Sequence, residues 1–266
     1  DHLQFAERTG DAGQRAQAYE GIAGVLLRLE RYPEALEYYE KTHAAGKALG
    51  NQVTVGYSLM NRAAVLWRLG RYAEAARFLD EASRLADQPG RLKSLAPSIL
   101  AVRAEMALSR RSFSEAAALA RRGLGVASSE YAKSNLQLVL GLALARSGSA
   151  REGRKWCEQA LRTSEPLADP SSTSEARLAL AEALLAAREP KAALEQARLA
   201  QEVFERTGQK ESLWRLSLLQ ARANNQAAEP TRRAGEIMSQ LSQSWGAQVL
   251  EKYLARPDIV DYRRER

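Results

Sequence analysis

The segment Leu29-Glu30-Arg31-Tyr32-Pro33-Glu34-Ala35-Leu36 returns forty residues later as Leu69-Gly70-Arg71-Tyr72-Ala73-Glu74-Ala75-Ala76. Weaker copies follow at Arg110–Ala117 and Ser147–Gly153, and a fifth reads Ala187-Arg188-Glu189-Pro190-Lys191-Ala192-Ala193-Leu194. With Ala35, Ala75, Ala116, Gly153 and Ala193 as markers, the spacings are 40, 41, 37 and 40 residues. A period of this size restricts the chain to a repeat architecture, in which each unit buries its apolar face against its neighbours. Apolar residues fall at helical spacing on both sides of each short polar turn, so each unit is predicted to be a helix hairpin.

Three columns of small residues support that register. Before the turn stand Ala23, Ala63, Ala104, Gly141 and Ala181; the markers themselves form the second column; seven residues on come Thr42, Ala82, Gly123, Ala160 and Ala200. Small side chains are required where two helix axes approach to roughly 8–10 Å. The pattern resembles the tetratricopeptide repeat family, in a long variety with a period near 40. Tyr32, Tyr72 and Phe113 match the family's turn aromatic, whereas Ala150 and Pro190 depart from it. Similar lengthening occurs in kinesin light chains and in the helical sensor arrays of large bacterial transcription activators. The resemblance implies an all-α fold, a right-handed superhelical solenoid of antiparallel helix hairpins.

The expected organisation is five repeats over about 15–50, 53–88, 94–128, 131–165 and 172–208. A degenerate sixth hairpin and a capping helix at about Ala247–Ala255 fill 209–266, with a frayed end at Arg263–Arg266. Residues 1–10 resemble Ala200–Gly208, the tail of a second helix. They read as the end of a truncated preceding repeat in a fragment of a larger bacterial protein, or alternatively as an N-terminal cap.

Composition narrows the function. One cysteine and two histidines allow neither an internal disulfide nor a usual zinc site. The longest near-apolar run, Leu136–Ala145, is half the roughly 20 residues of a membrane span. No secretory signal opens the sequence, and a cytoplasmic location is expected. No phosphate loop, dinucleotide fingerprint or nucleophile elbow is present. Cys157 falls in the column of Tyr39, Leu79, Ala120 and Ala197, which marks it as core. His43, beside Thr42, reads as structural or solvated. No cofactor, metal or catalytic set is expected, and the chain reads as a non-enzymatic scaffold for a protein or peptide.

Binding by stacked hairpins is expected on the concave face lined by first helices. The candidates there are Glu20, Leu27, Tyr57, Met60, Asn61, Trp67, Glu105, Leu138, Leu142 and Glu182, an apolar, sparsely acidic set. The stripe Tyr57, Met60, Trp67 fits a binding hot spot or ordinary packing. Asn61 matches one donor of the family's carboxylate clamp for chaperone C-termini. The remaining positions hold Glu20, Gly24, Ala101 and Glu105, so clamp binding is not expected.

The net charge of +7 is concentrated. Residues 101–155 carry ten basic and four acidic side chains, whereas residues 1–100 carry 13 and 12. Arg110, Arg111, Arg146, Arg151 and Arg154 flank two successive turns and form a candidate basic edge for an acidic partner. Phe113 and Tyr131 are too few aromatics for base stacking, so nucleic acid is a lesser alternative. A sensing array for an attached output domain is the other.

Overall fold

The computed structural model describes residues 11–88, 94–224 and 227–264. Every regular element among them is helical. The chain divides into two compact units, residues 1–102 and 103–266.

The first unit contains α1 (Ala12–Arg28), α2 (Tyr32–Ala48), α3 (Gln52–Arg68) and α4 (Tyr72–Ala86). Helix α5 (Leu95–Ser109) begins in it and ends in the second unit. The second unit continues with α6 (Phe113–Leu124), α7 (Glu130–Arg146), α8 (Ala150–Ser164), a short 3-10 turn (Glu165–Leu167), α9 (Pro170–Ala186) and α10 (Pro190–Thr207). After these come α11 (Lys210–Ala223), α12 (Ala228–Trp245), α13 (Ala247–Leu254) and α14 (Pro257–Arg264). Residues 1–10, read from sequence as the end of a preceding helix, lie outside the described residues.

The boundaries follow from local chemistry. Asp11 and Asn51 cap α1 and α3 by accepting two backbone N–H groups each, and Asp169 caps α9 by accepting from Ser171. The residue opposite the family's aromatic is the first residue of every second helix: Tyr32, Tyr72, Phe113, Ala150 and Pro190. Pro190 departs from the aromatic pattern yet suits that place, where its fixed φ and missing N–H cost nothing. Each turn within the first five hairpins contains one left-handed residue, Glu30, Gly70, Arg111, Gly148 or Arg188. Its N–H and the next one return to the preceding helix, as Arg188 to Leu185 and Glu189 to Leu184.

All three small columns are buried, with Ala23, Ala35, Ala63, Ala75, Ala181 and Ala193 at 0% exposure. The fourth repeat has glycine in both contact columns. A Cβ on Gly153 would stand 2.5 Å from the Gly141 oxygen and from the Ala145 nitrogen. Helices α7 and α8 therefore pack backbone to backbone. The sixth hairpin, α11–α12, fills its interior with aromatics instead: Trp214 lies 6.2 Å from Tyr253, and Trp245 lies 5.1 Å from it.

The C-terminus differs from the expected single capping helix. Arg256 is 2% exposed and pairs with Asp258 at 2.7 Å and Glu211 at 3.6 Å. Pro257 then opens α14, which runs through positions expected to fray. The pairing inside the sequence Arg256-Pro257-Asp258 turns the chain back toward the core.

Candidate functional site

Within the second unit, one face of each first helix contributes to a common groove. Helix α7 supplies Leu142, Ala145 and Arg146; α9 supplies Glu182, Leu185 and Ala186; α11 supplies Leu219 and Arg222. These are equivalent positions at spacings of three and four, so they share one face on successive helices. Arg111 and Phe113 enter from the α5–α6 turn, and Asp258, Asp261 and Tyr262 from α14. A cavity of about 410 Å³ remains among these side chains. Its lining combines apolar side chains with a few charged ones, the usual make-up of a site that orients a ligand by a few polar groups.

Glu182 is the hub. It accepts from Arg146 Nη2 at 2.5 Å and Arg215 Nη2 at 3.2 Å, and the Tyr262 hydroxyl donates to it. Burial alone would raise the carboxyl; the two arginines outweigh it and hold Glu182 below the usual carboxylate range. The Tyr262 ring meets the guanidiniums of Arg222, Arg215 and Arg146 at 4.9, 5.2 and 5.6 Å. Arg222 also donates to the Tyr262 carbonyl at 3.0 Å, and Arg111 pairs with Asp261 at 2.6 Å. Four guanidiniums thus hold one short helix against one carboxylate of the groove.

The two sequence-derived sets meet here in part. Leu142 and Glu182 from the groove set, with Arg111 and Arg146 from the basic set, line one cavity. The rest are placed elsewhere. Glu105 accepts from Asn135 at 2.6 Å, and Leu138 is half-buried on α7. In the first unit, Met60 and Trp67 are each 8% exposed. Tyr57 reaches Ser94 at 3.4 Å, Asn61 and Leu27 are half-buried, and burial raises the Glu20 carboxyl. The expected edge is largely neutralised. Arg110 pairs with Glu115, Arg154 with Glu158 and Glu189, and Arg146 turns into the groove, while Arg151 is exposed.

Arg215, Arg222, Asp261 and Tyr262 were not among the sequence candidates. The available signal was Pro257 followed by an acidic residue and by Ile259 and Tyr262 three apart, the start of a short amphipathic helix.

Cys157 is fully buried, and burial pushes its thiol far above the ordinary value. His43 Nδ1 lies 3.0 Å from Ser58 Oγ, which itself donates to the Val55 carbonyl, so the pair bridges α2 and α3. Among the described residues no cluster of His, Cys, Asp or Glu is placed to hold a metal ion, and no helix is long and apolar enough to cross a membrane.

Residues 14–88 match the tetratricopeptide repeat family. The chain is similar in structure to the Rap conjugation gene regulator of the plasmid pLS20 in complex with the Phr* peptide. The TM-score is 0.73 at 13% identity, over 98% of this chain and 74% of that one. It is similar to a Rap protein complexed with competence and sporulation factor, with TM-score 0.61 at 12% identity over 95% and 77% of the two chains. A third similarity is to a signal transduction ATPase of the STAND type with a tetratricopeptide repeat sensor from Pyrococcus horikoshii. There the TM-score is 0.56 at 12% identity, over 94% of this chain and 39% of that one. At these identities the likeness establishes the fold. No curated protein matches the chain.

Proposed function

We propose that this chain, whose residues 14–88 are tetratricopeptide repeats and whose remaining hairpins continue the same plan, is a non-enzymatic scaffold that binds a peptide or protein segment in the groove of its second unit. The observation that carries this reading is the cavity beside Glu182, lined by Leu142, Leu185 and Leu219 together with Arg111, Arg146 and Arg222. A preformed site of this kind lowers the ordering cost of binding. Two of the similar structures are described as complexes with a peptide or a peptide factor, which supports the reading by fold analogy only.

Peptide display selection against the full chain tests it. Enriched peptides should lose about tenfold or more in affinity when Arg222 is replaced by glutamate, in line with truncating a buried charged contact. Selection without enrichment, or peptides indifferent to both Arg222→Glu and Leu142→Ala, would defeat it.

The similarity to a tetratricopeptide repeat sensor favours one second reading, a regulatory array attached to an output domain. A kinase, protease, NTPase or DNA-binding domain carried in the same polypeptide would favour the second reading. Nucleic-acid binding is disfavoured because Arg110, Arg111, Arg146 and Arg154 already face carboxylates.

A further inference from the structure

Helix α14 sits in the groove as a ligand would. Its outer anchors are Asp261 on Arg111 and Tyr262 on Glu182, Arg146, Arg215 and Arg222. Its inner anchor is Ile259, at 0% exposure one turn before Tyr262. Asp261 answers Arg111, while Arg146, Arg215 and Arg222 gather around Glu182 and the Tyr262 ring, so the seat takes a carboxylate side chain next to a phenol.

Several features mark α14 as replaceable. Eight residues are too few for a helix that is stable in water by itself, so α14 exists through its docking. It follows α13 after only Ala255 and Arg256, and the buried Arg256–Asp258 pair fixes its first turn. Its far end is held by groove side chains, among them Arg222 on the Tyr262 carbonyl, beside a cavity of about 410 Å³ that it does not fill. A longer segment with the same anchors could occupy both the helix seat and the cavity.

We propose that the groove is a receptor for helical segments bearing an acidic residue next to a tyrosine, with an apolar residue one turn earlier, and that α14 is its resident occupant, displaced by a partner segment of that chemistry. This rests on the scaffold reading above and adds both the class of partner and the means of regulation. The tethered helix acts as a competitor at an effective concentration on the order of millimolar. It therefore sets a threshold that weak, non-matching segments do not pass.

The test uses the full chain and a fluorescent peptide of residues 255–264. The full-length double variant Asp261→Lys, Tyr262→Ala should bind this peptide about tenfold or more tightly than the unaltered chain does, because its own helix no longer competes. A peptide carrying the same two changes should bind neither protein. Amide exchange over residues 257–264 of the unaltered chain should accelerate when peptide is added at millimolar concentration. Equal affinity of the two proteins, or no binding to a variant shown to be folded by circular dichroism, overturns the proposal. If the variant does not fold, the exchange measurement on the unaltered chain decides, and unchanged exchange overturns it. Self-association of the variant or the unaltered chain through exchanged α14 helices would make a second copy the occupant and also overturn it. Display peptides that bind while the 255–264 peptide does not would sink this proposal and leave the scaffold reading standing.

Discussion

The phenol of Tyr262 donates to the Glu182 carboxylate across eighty positions of sequence, joining the last helix to the middle of the repeat array of the second unit. Removing only the hydroxyl, in Tyr262→Phe, keeps the ring under its guanidiniums and deletes its bond to Glu182 together with the longer ones it accepts from Arg146 and Arg215. The expected cost is about 1–2 kcal/mol, read as a lower denaturant midpoint at unchanged slope. Loosened α14 should then show faster amide exchange before the remainder of the unit does.

The same hub gives a pH dependence of definite sign. The Glu182 carboxyl is held below its ordinary 4.5, so the folded state binds fewer protons than the unfolded one near that pH. Its stabilisation is complete above 4.5 and is lost as pH falls through the lower folded value. Melting temperature should therefore drop as pH falls below about 4.5, and Glu182→Gln should flatten that drop. Asp258, also held low by Arg256 despite burial, keeps part of the slope in the variant.

Arg256 is a buried cation shared by two buried carboxylates. Replacing it by methionine leaves Asp258 and Glu211 buried at 7% and 5% exposure without their shared cation. Breaking a buried pair from one side costs about 3–5 kcal/mol. Thermal melting of Arg256→Met should show that loss, and the triple variant that also carries Asp258→Leu and Glu211→Leu should recover much of it.

The repeat was legible because its signal is local and periodic. Small residues at Ala23, Ala63, Ala104, Gly141 and Ala181 mark helix contacts wherever they occur, and each proved buried. Leu142 and Glu182 were legible for the same reason, as equivalent positions on first helices. Arg146 was placed on an edge because charge counting along the sequence does not register a partner one hairpin away. Its carboxylate stands 36 positions on, and that of Arg154 stands 35 positions on. Helix α14 lies beyond the last repeat, where the period carries no information, and its eight residues form a helix only through the groove. Arg215 and Arg222 belong to the hairpin whose columns had decayed, so no register pointed them inward.

Cys157 offers a chemical check on the core column. Its Sγ would lie 2.5 Å from a Cβ placed on Gly141, and burial raises its thiol well above the range in which thiolate forms. Iodoacetamide at neutral pH should leave the native chain unmodified and alkylate it fully in denaturant. Alkylation at equal rates in both conditions would place Cys157 outside the core.

Removing a glycine and adding one should have opposite signs in this fold. Gly153→Ala puts a methyl 2.5 Å from the Gly141 carbonyl oxygen and the Ala145 nitrogen, neither of which is a movable side-chain end. Helices α7 and α8 must separate, at a cost of about 1–3 kcal/mol. Gly123→Ala meets only Leu136 methyl groups at 2.6 and 2.9 Å, which can rotate, so its cost should be the smaller. Arg188→Gly works the other way. Arg188 holds φ at +63°, the position occupied by Gly70 and Gly148 in their own repeats. Relief of that left-handed strain should exceed the added unfolded-state entropy and stabilise the chain by about 0.5–1 kcal/mol. Chemical denaturation of the three variants checks the order: Gly153→Ala below Gly123→Ala, and Arg188→Gly above the unaltered chain.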